Sequence, residues 1–141
     1  MNWELRTLSI AKSSFAREGI ETYHKKINGF LSFDIKWFKP ERDLFKDVDP
    51  SSIVVLCDER GRAPCSRDFA SQLQKWQDQG KRQFVFIIGG PFGIDAEQRK
   101  KADYVLSLSH LVMNQEVALM VLCEQLFRAL TIMNNHPYHN D

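Results

Sequence analysis

No run in this chain approaches the ~20 consecutive apolar residues that a helix needs to cross a bilayer, which excludes a membrane-spanning helix. An excess of one charge is missing too. Lys+Arg total 19 and Asp+Glu 18, for a formal net charge of +1. That balance excludes a protein that coats nucleic acid through a broad basic face. It leaves open a small basic patch, a groove built by two copies, or recognition of one folded RNA. Cysteine is scarce: Cys57, Cys65 and Cys123 are odd in number, and no pair has the C-x₂₋₄-C spacing of a structural zinc site. Cys57 lies in a β-like run and Cys123 in a helical one, which predicts buried, reduced thiols in a cytoplasmic protein. Met1–Ile10 has no basic region before an apolar run and no small-residue cleavage site, so it reads as a first strand and not as a signal peptide. Neither G-x-G-x-x-G nor G-x-x-x-x-G-K-[ST] occurs, so the dinucleotide and nucleoside-triphosphate fingerprints are absent. Internal repeats, linkers and low-complexity segments are absent as well.

What is present suits one domain, residues 1–141, with one core: 43% of the residues are apolar. Glu4–Ile10 and Phe33–Phe38 alternate polar and apolar residues and predict strands. Ile53–Cys57 (IVVLC) and Phe84–Ile88 (FVFII) are continuous apolar runs, the pattern of strands buried on both faces. A short strand is predicted over Tyr104–Ser107. Helices are predicted over Ser13–Lys26, from an N-cap at Ser66 to Gln79 with Gly80 as the terminating glycine, over Ala96–Ala102, and over Asn114–Met133. Lys39–Ser52 reads as a loop or a short helix. Alternating strands and helices predict an α/β fold with a mostly parallel sheet and helices on both faces. The last helix is apolar on more than one face, with Leu119, Val121, Leu122, Leu126, Leu130 and Ile132, which predicts a homodimer formed around it.

Three segments can carry chemistry. Ile87–Gly93 (IIGGPFG) follows a buried strand. In parallel sheets ligands bind beyond the carboxyl ends of strands, and glycines there let a ligand approach the backbone. The plain alternative is a tight turn. Asp58–Arg62 clusters charge at the end of the other buried strand, as a site or as a solvated loop. Asn135–Asp141 (NHPYHND) ends with two histidines and a tyrosine, as a functional tail or a frayed one.

Four blocks resemble a known family. LCDERGRAPCSRDFA (Leu56–Ala70) resembles L-D-x-x-G-x-x-x-S-S-x-x-F-A of the ribosomal large-subunit pseudouridine N3-methyltransferases, the methyltransferase H family of the SPOUT superfamily. IIGGPFG resembles its I-G-G-P-x-G, LSLSHLVMN (Leu106–Asn114) its L-S-L-S-x-M-T-x-P, and CEQLFRALTIMNNHPYHND (Cys123–Asp141) its E-Q-L-Y-R-A…N-x-P-Y-H ending. The resemblance implies a SPOUT fold with a C-terminal trefoil knot, a homodimer, S-adenosylmethionine as cofactor, no metal, and ribosomal RNA or the ribosome as substrate. It places the cofactor against Leu56, Gly89, Gly90, Ser109, His110, Leu111, Val112, Met113 and Asn114. It makes Tyr138, His139 and Arg128 the catalytic candidates, with His139 as base. The chain departs from the family where a Pro-His-Gln run becomes Asn114, Gln115 and Glu116, where an Arg becomes Leu119, and where a basic residue becomes Asn140. Those losses admit an alternative: a dimeric cofactor- or RNA-binding relative without catalysis.

Overall fold

The computed structural model describes residues 1–8, 11–90 and 94–141. Strands β1 (Asn2–Thr7), β2 (Ser32–Trp37), β3 (Ile53–Arg62), β4 (Gln83–Ile88) and β5 (Tyr104–Leu106) alternate with helices α1 (Ser14–Asn28), α2 (Ser66–Asp78), α3 (Ala96–Arg99) and α4 (Gln115–Met133). The strands form one sheet in the order β2-β1-β4-β3-β5. All four neighbouring pairs are parallel.

Strand alternation divides the core into two layers. Ile53, Val55, Phe84 and Phe86 face α1, α2 and α4, whose Ile20, Leu73, Leu122 and Leu126 complete the larger layer. Val54, Leu56, Val85 and Ile87 face the opposite way, against Leu44 and Ile94. The three long helices therefore share one face. The other face is covered by a short 3₁₀ turn at Glu41–Asp43, the loop after it, and the residues flanking α3. The Lys39–Ser52 segment is held there by Arg6, a buried guanidinium that donates to the carbonyls of Leu44 (3.1 Å) and Lys46 (2.6 Å).

Several boundaries differ from the sequence pattern. β1 begins at Asn2 and ends at Thr7, while Ser9 and Ile10 lie outside the described residues, as do Pro91, Phe92 and Gly93 of the glycine-rich turn. β3 runs on through the charged cluster to Arg62. The N-cap of α2 is Cys65, without a side-chain cap bond, and Ser66 is already helical, its hydroxyl donating to Gln125 of α4 (2.7 Å). Cys65 is exposed, unlike the other two thiols. Gly80 follows α2 at φ +91°, the left-handed conformation expected of a terminating glycine.

Apolarity around α4 does not by itself require a second copy, contrary to the reading from sequence. Leu119, Leu122, Leu126 and Leu130 are all buried within this chain, because α1 and α2 both pack on α4. Val121 and Ile132 are only half-buried. The α1–α4 contact is close at Gly19, where a Cβ would lie 2.5 Å from Met120 Sδ.

Candidate methyl-donor site

Cys57 of β3 lies beside Ile88 and Leu106, the last residues of β4 and β5, and a cleft of about 610 Å³ opens there. Cys57 and Asp58 line it from β3, Ile88 and Gly89 from β4, and Leu106 with Ser107 from β5. The next stretch, Leu108–Gln115 without His110, forms the opposite rim.

The β3 wall has an unusual register. Cys57 and Arg62 both pair with Leu106, so Asp58–Gly61 leave the ladder between them. The Ser107 amide donates to the Arg62 carbonyl (2.7 Å) and closes the excursion. Gly61 permits it, since a Cβ there would meet the Val105 carbonyl oxygen at 2.4 Å. Within the excursion, Asp58 Oδ1 accepts from the backbone amide (2.9 Å) and Nε (3.2 Å) of Arg60. Among the described residues, its buried Oδ2 has no hydrogen-bond partner. Burial pushes the Cys57 thiol up to about 12, aided by nearby Cys123 and Asp58. At neutral pH it is an uncharged, weakly polar wall and not a nucleophile.

Serine turns shape the opposite rim. Ser107 Oγ donates to the Ser109 carbonyl (3.0 Å), and Ser109 Oγ accepts from the Leu111 amide (2.9 Å). Leu111 and Val112 stand out from this loop at 79% and 87% exposure. The loop ends at Asn114, which caps α4 by accepting from the Glu116 amide (2.8 Å).

Gln115 and Glu116 are anchors. Gln115 Nε2 donates to the Gly89 carbonyl (2.5 Å), tying α4 to the end of β4 at the cleft. The Glu116 carboxylate accepts from the amides of Lys12 and Ser13 (the latter 3.1 Å) and from Ser13 Oγ (2.6 Å), so it caps α1 from another element. Those bonds, the Ser13 hydroxyl first, hold its carboxyl below the ordinary value. A depressed pKa means the contribution is complete above the unfolded value of about 4.3 and is lost as pH falls through the lower folded value. Acid titrations of stability should therefore show a shallower loss below about pH 4.3 in Glu116→Gln than in the parent. Equal slopes would refute the cap.

The tail forms a second constellation. Arg128 Nη1 donates to His139 Nδ1 (2.9 Å), and the Arg128 guanidinium lies 4.8 Å over the Tyr138 ring. Glu124 Oε1 accepts from Arg128 Nε (2.8 Å) and from the Tyr138 hydroxyl (3.2 Å). Tyr138 packs edge-on against Phe127 at 4.7 Å. Burial, with help from Tyr23 and Glu124, pushes the Tyr138 hydroxyl up to about 12, so it remains a donor. His139 Nδ1 accepts from Arg128, so Nε2 carries the proton, and it meets Asp141 at 2.8 Å. Both ring nitrogens are committed, and His139 has no free lone pair with which to act as a base.

The residues read from sequence thus fall into two groups. Gly89, Gly90, Ser109, Leu111, Val112, Met113 and Asn114 line the cleft. Leu56 and His110 do not. Leu56 points into the other core layer, and its neighbour Cys57 takes the wall position. The motif spacing explains the shift: Asp58 and Gly61 fit D-x-x-G, so the motif leucine corresponds to Cys57. His110 is exposed on the loop. Gln115 and Ala118 also line the cleft; the strand-end rule reaches Ile88 and Leu106 but not these two helix residues. Arg128, Tyr138 and His139 come together, but far from the cleft. Ala118 at its edge and Arg128 are ten residues apart on one helix, or about 15 Å.

A family model described as a predicted SPOUT methyltransferase matches residues 1–139. The chain belongs to this SPOUT methyltransferase family. It is 36% identical to the ribosomal RNA large subunit methyltransferase H of Bdellovibrio bacteriovorus, over 99% of each chain. It is 35% identical to the protein of that name from Thermus thermophilus, over 96% of this chain and 97% of the relative. The solved structure of a probable methylase family protein from Haemophilus influenzae shares the fold, with TM-score 0.59 and 13% identity over 99% of this chain and 70% of that one. SPOUT methyltransferases use S-adenosylmethionine, and the cleft suits it. Its volume lies in the range of small-molecule sites, its walls are largely apolar, and the buried Asp58 Oδ2 offers an acceptor to a ligand hydroxyl or ammonium.

Proposed function

We propose that this protein methylates N3 of a pseudouridine in large-subunit ribosomal RNA, with S-adenosylmethionine held in the cleft at the ends of β4 and β5. The observation that carries this reading is the end-to-end similarity to enzymes named ribosomal RNA large subunit methyltransferase H, combined with a cleft whose lining includes most of the motif residues. When bound, the cofactor supplies an electrophilic methyl carbon on sulfur. The protein must hold the nucleophilic nitrogen about 3 Å from that carbon and in line with it.

N3 of a pseudouridine is an imide nitrogen, mostly protonated at neutral pH. Donors placed at its carbonyls stabilise the anion and let the proton leave to solvent. Arg128 is suited to this, since its bond to Glu124 keeps it charged and aims its guanidinium at the tail. His139 accepts from Arg128 through Nδ1 and so fixes that guanidinium, positioning the donor in place of acting as a base. Leu111 and Val112, exposed on the rim, would cover the apolar edge of the target base.

The donors and the cleft are too far apart within one chain, and a homodimer resolves this: each cleft would be completed by the tail of the partner subunit. The trefoil path of the family belongs to the same reading, with the β3 excursion pinned onto Val105–Ser107 as part of the threaded region.

Calorimetric titration with S-adenosylmethionine tests the site. Gly89→Val adds a branched side chain where β4 ends at the cleft, and it should lower affinity at least tenfold in a folded protein. Unchanged affinity would sink the placement. Methyl transfer to ribosomes lacking the modification tests the activity; cofactor binding without transfer would favour the non-catalytic alternative, which the changed residues Gln115, Glu116, Leu119 and Asn140 first suggested.

A further inference from the structure

The charged end of the tail is arranged around a single anion. Both carboxylate oxygens of Asp141 sit on Arg67 Nε, at 2.7 and 2.8 Å. Oδ1 also lies 2.8 Å from His139 Nε2. Arg67 belongs to the first turn of α2, and His139 is fixed from behind by Arg128. An in-chain carboxylate is therefore seated between a guanidinium and an imidazole N–H from distant parts of the sequence. Those two donor types, both at hydrogen-bond distance from Asp141 Oδ1, also suit a phosphodiester oxygen.

We propose that Arg67 and His139 form a binding subsite for a backbone phosphate of the substrate RNA, and that Asp141 occupies it until the RNA displaces it. The inference rests on the RNA-modifying function proposed above. Displacement is cheap, because Arg67 and Asp141 are 54% and 67% exposed and ion pairs in such positions hold weakly. A polyanion has the advantage over one tethered carboxylate, since each phosphate it places releases counterions. The balanced net charge fits this picture: affinity would come from a few discrete subsites and not from a basic coat. Asp141 thus acts as a built-in competitor at a position the phosphate needs. It also holds the tail in place before RNA arrives.

The test is RNA binding as a function of salt, using the full chain and an oligonucleotide carrying the target loop. With Asp141 present, the phosphate replaces one anion by another and little net charge is neutralised. In Asp141→Asn the subsite starts empty, so low-salt affinity should rise several-fold. The slope of log K against log salt should steepen by about 0.7 for a single-stranded contact. Arg67→Gln should remove that gain in the double variant, as expected of coupled residues. The same affinity and slope in Asp141→Asn and the parent would overturn the proposal, as would no detectable RNA binding by either. Ring resonances of His139 separate the ligand sources. Shifts on adding the oligonucleotide, with inorganic phosphate effective only at far higher concentration, support an RNA subsite. Equal potency of inorganic phosphate would overturn it. Failure of methyl transfer with the salt response intact would count against the proposed activity and not against the subsite.

Discussion

Gly61→Ala should destabilise the protein by about 3 kcal/mol, at the upper end of overpacking effects, and lower its melting temperature by about 10 °C. The added Cβ would lie 2.4 Å from the carbonyl oxygen and 2.5 Å from the carbonyl carbon of Val105. These are backbone atoms of β5, a strand of three residues that pairs, among the described residues, only with β3, so they cannot yield without breaking the pairing. Gly19→Ala is the control. Its Cβ would also come within 2.5 Å of a neighbour, but that neighbour is Met120 Sδ, which can rotate aside. We expect about 1 kcal/mol or less there. Thermal unfolding of both variants decides the matter, and a Gly61→Ala protein as stable as Gly19→Ala would show that the β3 excursion is not packed as described. Cofactor affinity should fall with stability in Gly61→Ala, since Asp58 lies on the same excursion and Cys57 flanks it.

Deleting residues 138–141 should reduce methyl transfer at least about 100-fold, the loss typical of removing one preorganised donor from an anionic transition state. S-adenosylmethionine affinity should stay within about twofold, because no residue of a chain's own tail lines its cleft and the partner's tail is proposed to meet the RNA. Stability should fall only modestly: removing Tyr138 strips one edge-on contact from Phe127, worth about 1 kcal/mol. The decisive form of the experiment mixes two inactive proteins. The truncated chain keeps a good cleft, and Gly89→Val keeps a good tail. If each cleft is completed by the partner's tail, mixed dimers contain one working site and activity returns. Mixtures that stay inactive would refute the shared site. A truncated protein at full rate would remove the tail from catalysis altogether.

Much of this was legible in the residues. The runs Ile53–Cys57 and Phe84–Ile88 announced strands buried on both faces, and they are neighbours at the centre of the sheet. Gly80 announced the end of α2. The glycine pair after β4 marked the cleft, because ligand sites at the ends of parallel strands need backbone that can be approached. Four ordered blocks then pointed to the family, and the end-to-end match bears that out.

Other features were not legible, because they depend on which segments meet. Leu56 and Cys57 are adjacent in sequence, and only the pleat assigns one to the core and the other to the cleft. Gln115 and Glu116 looked like lost chemical groups. Their partners, Gly89 and the start of α1, lie 26 and 103 residues away, and local pattern holds no record of them. His139 looked like a base until Arg128 and Asp141 were found on its two nitrogens. Sequence alone determined the elements, their alternation and the family, since hydrophobic period and turn chemistry act within a few residues. Tertiary structure decided the register excursion at Asp58–Gly61, the separation of tail from cleft and the state of His139, because each is set by contacts between segments far apart in the chain.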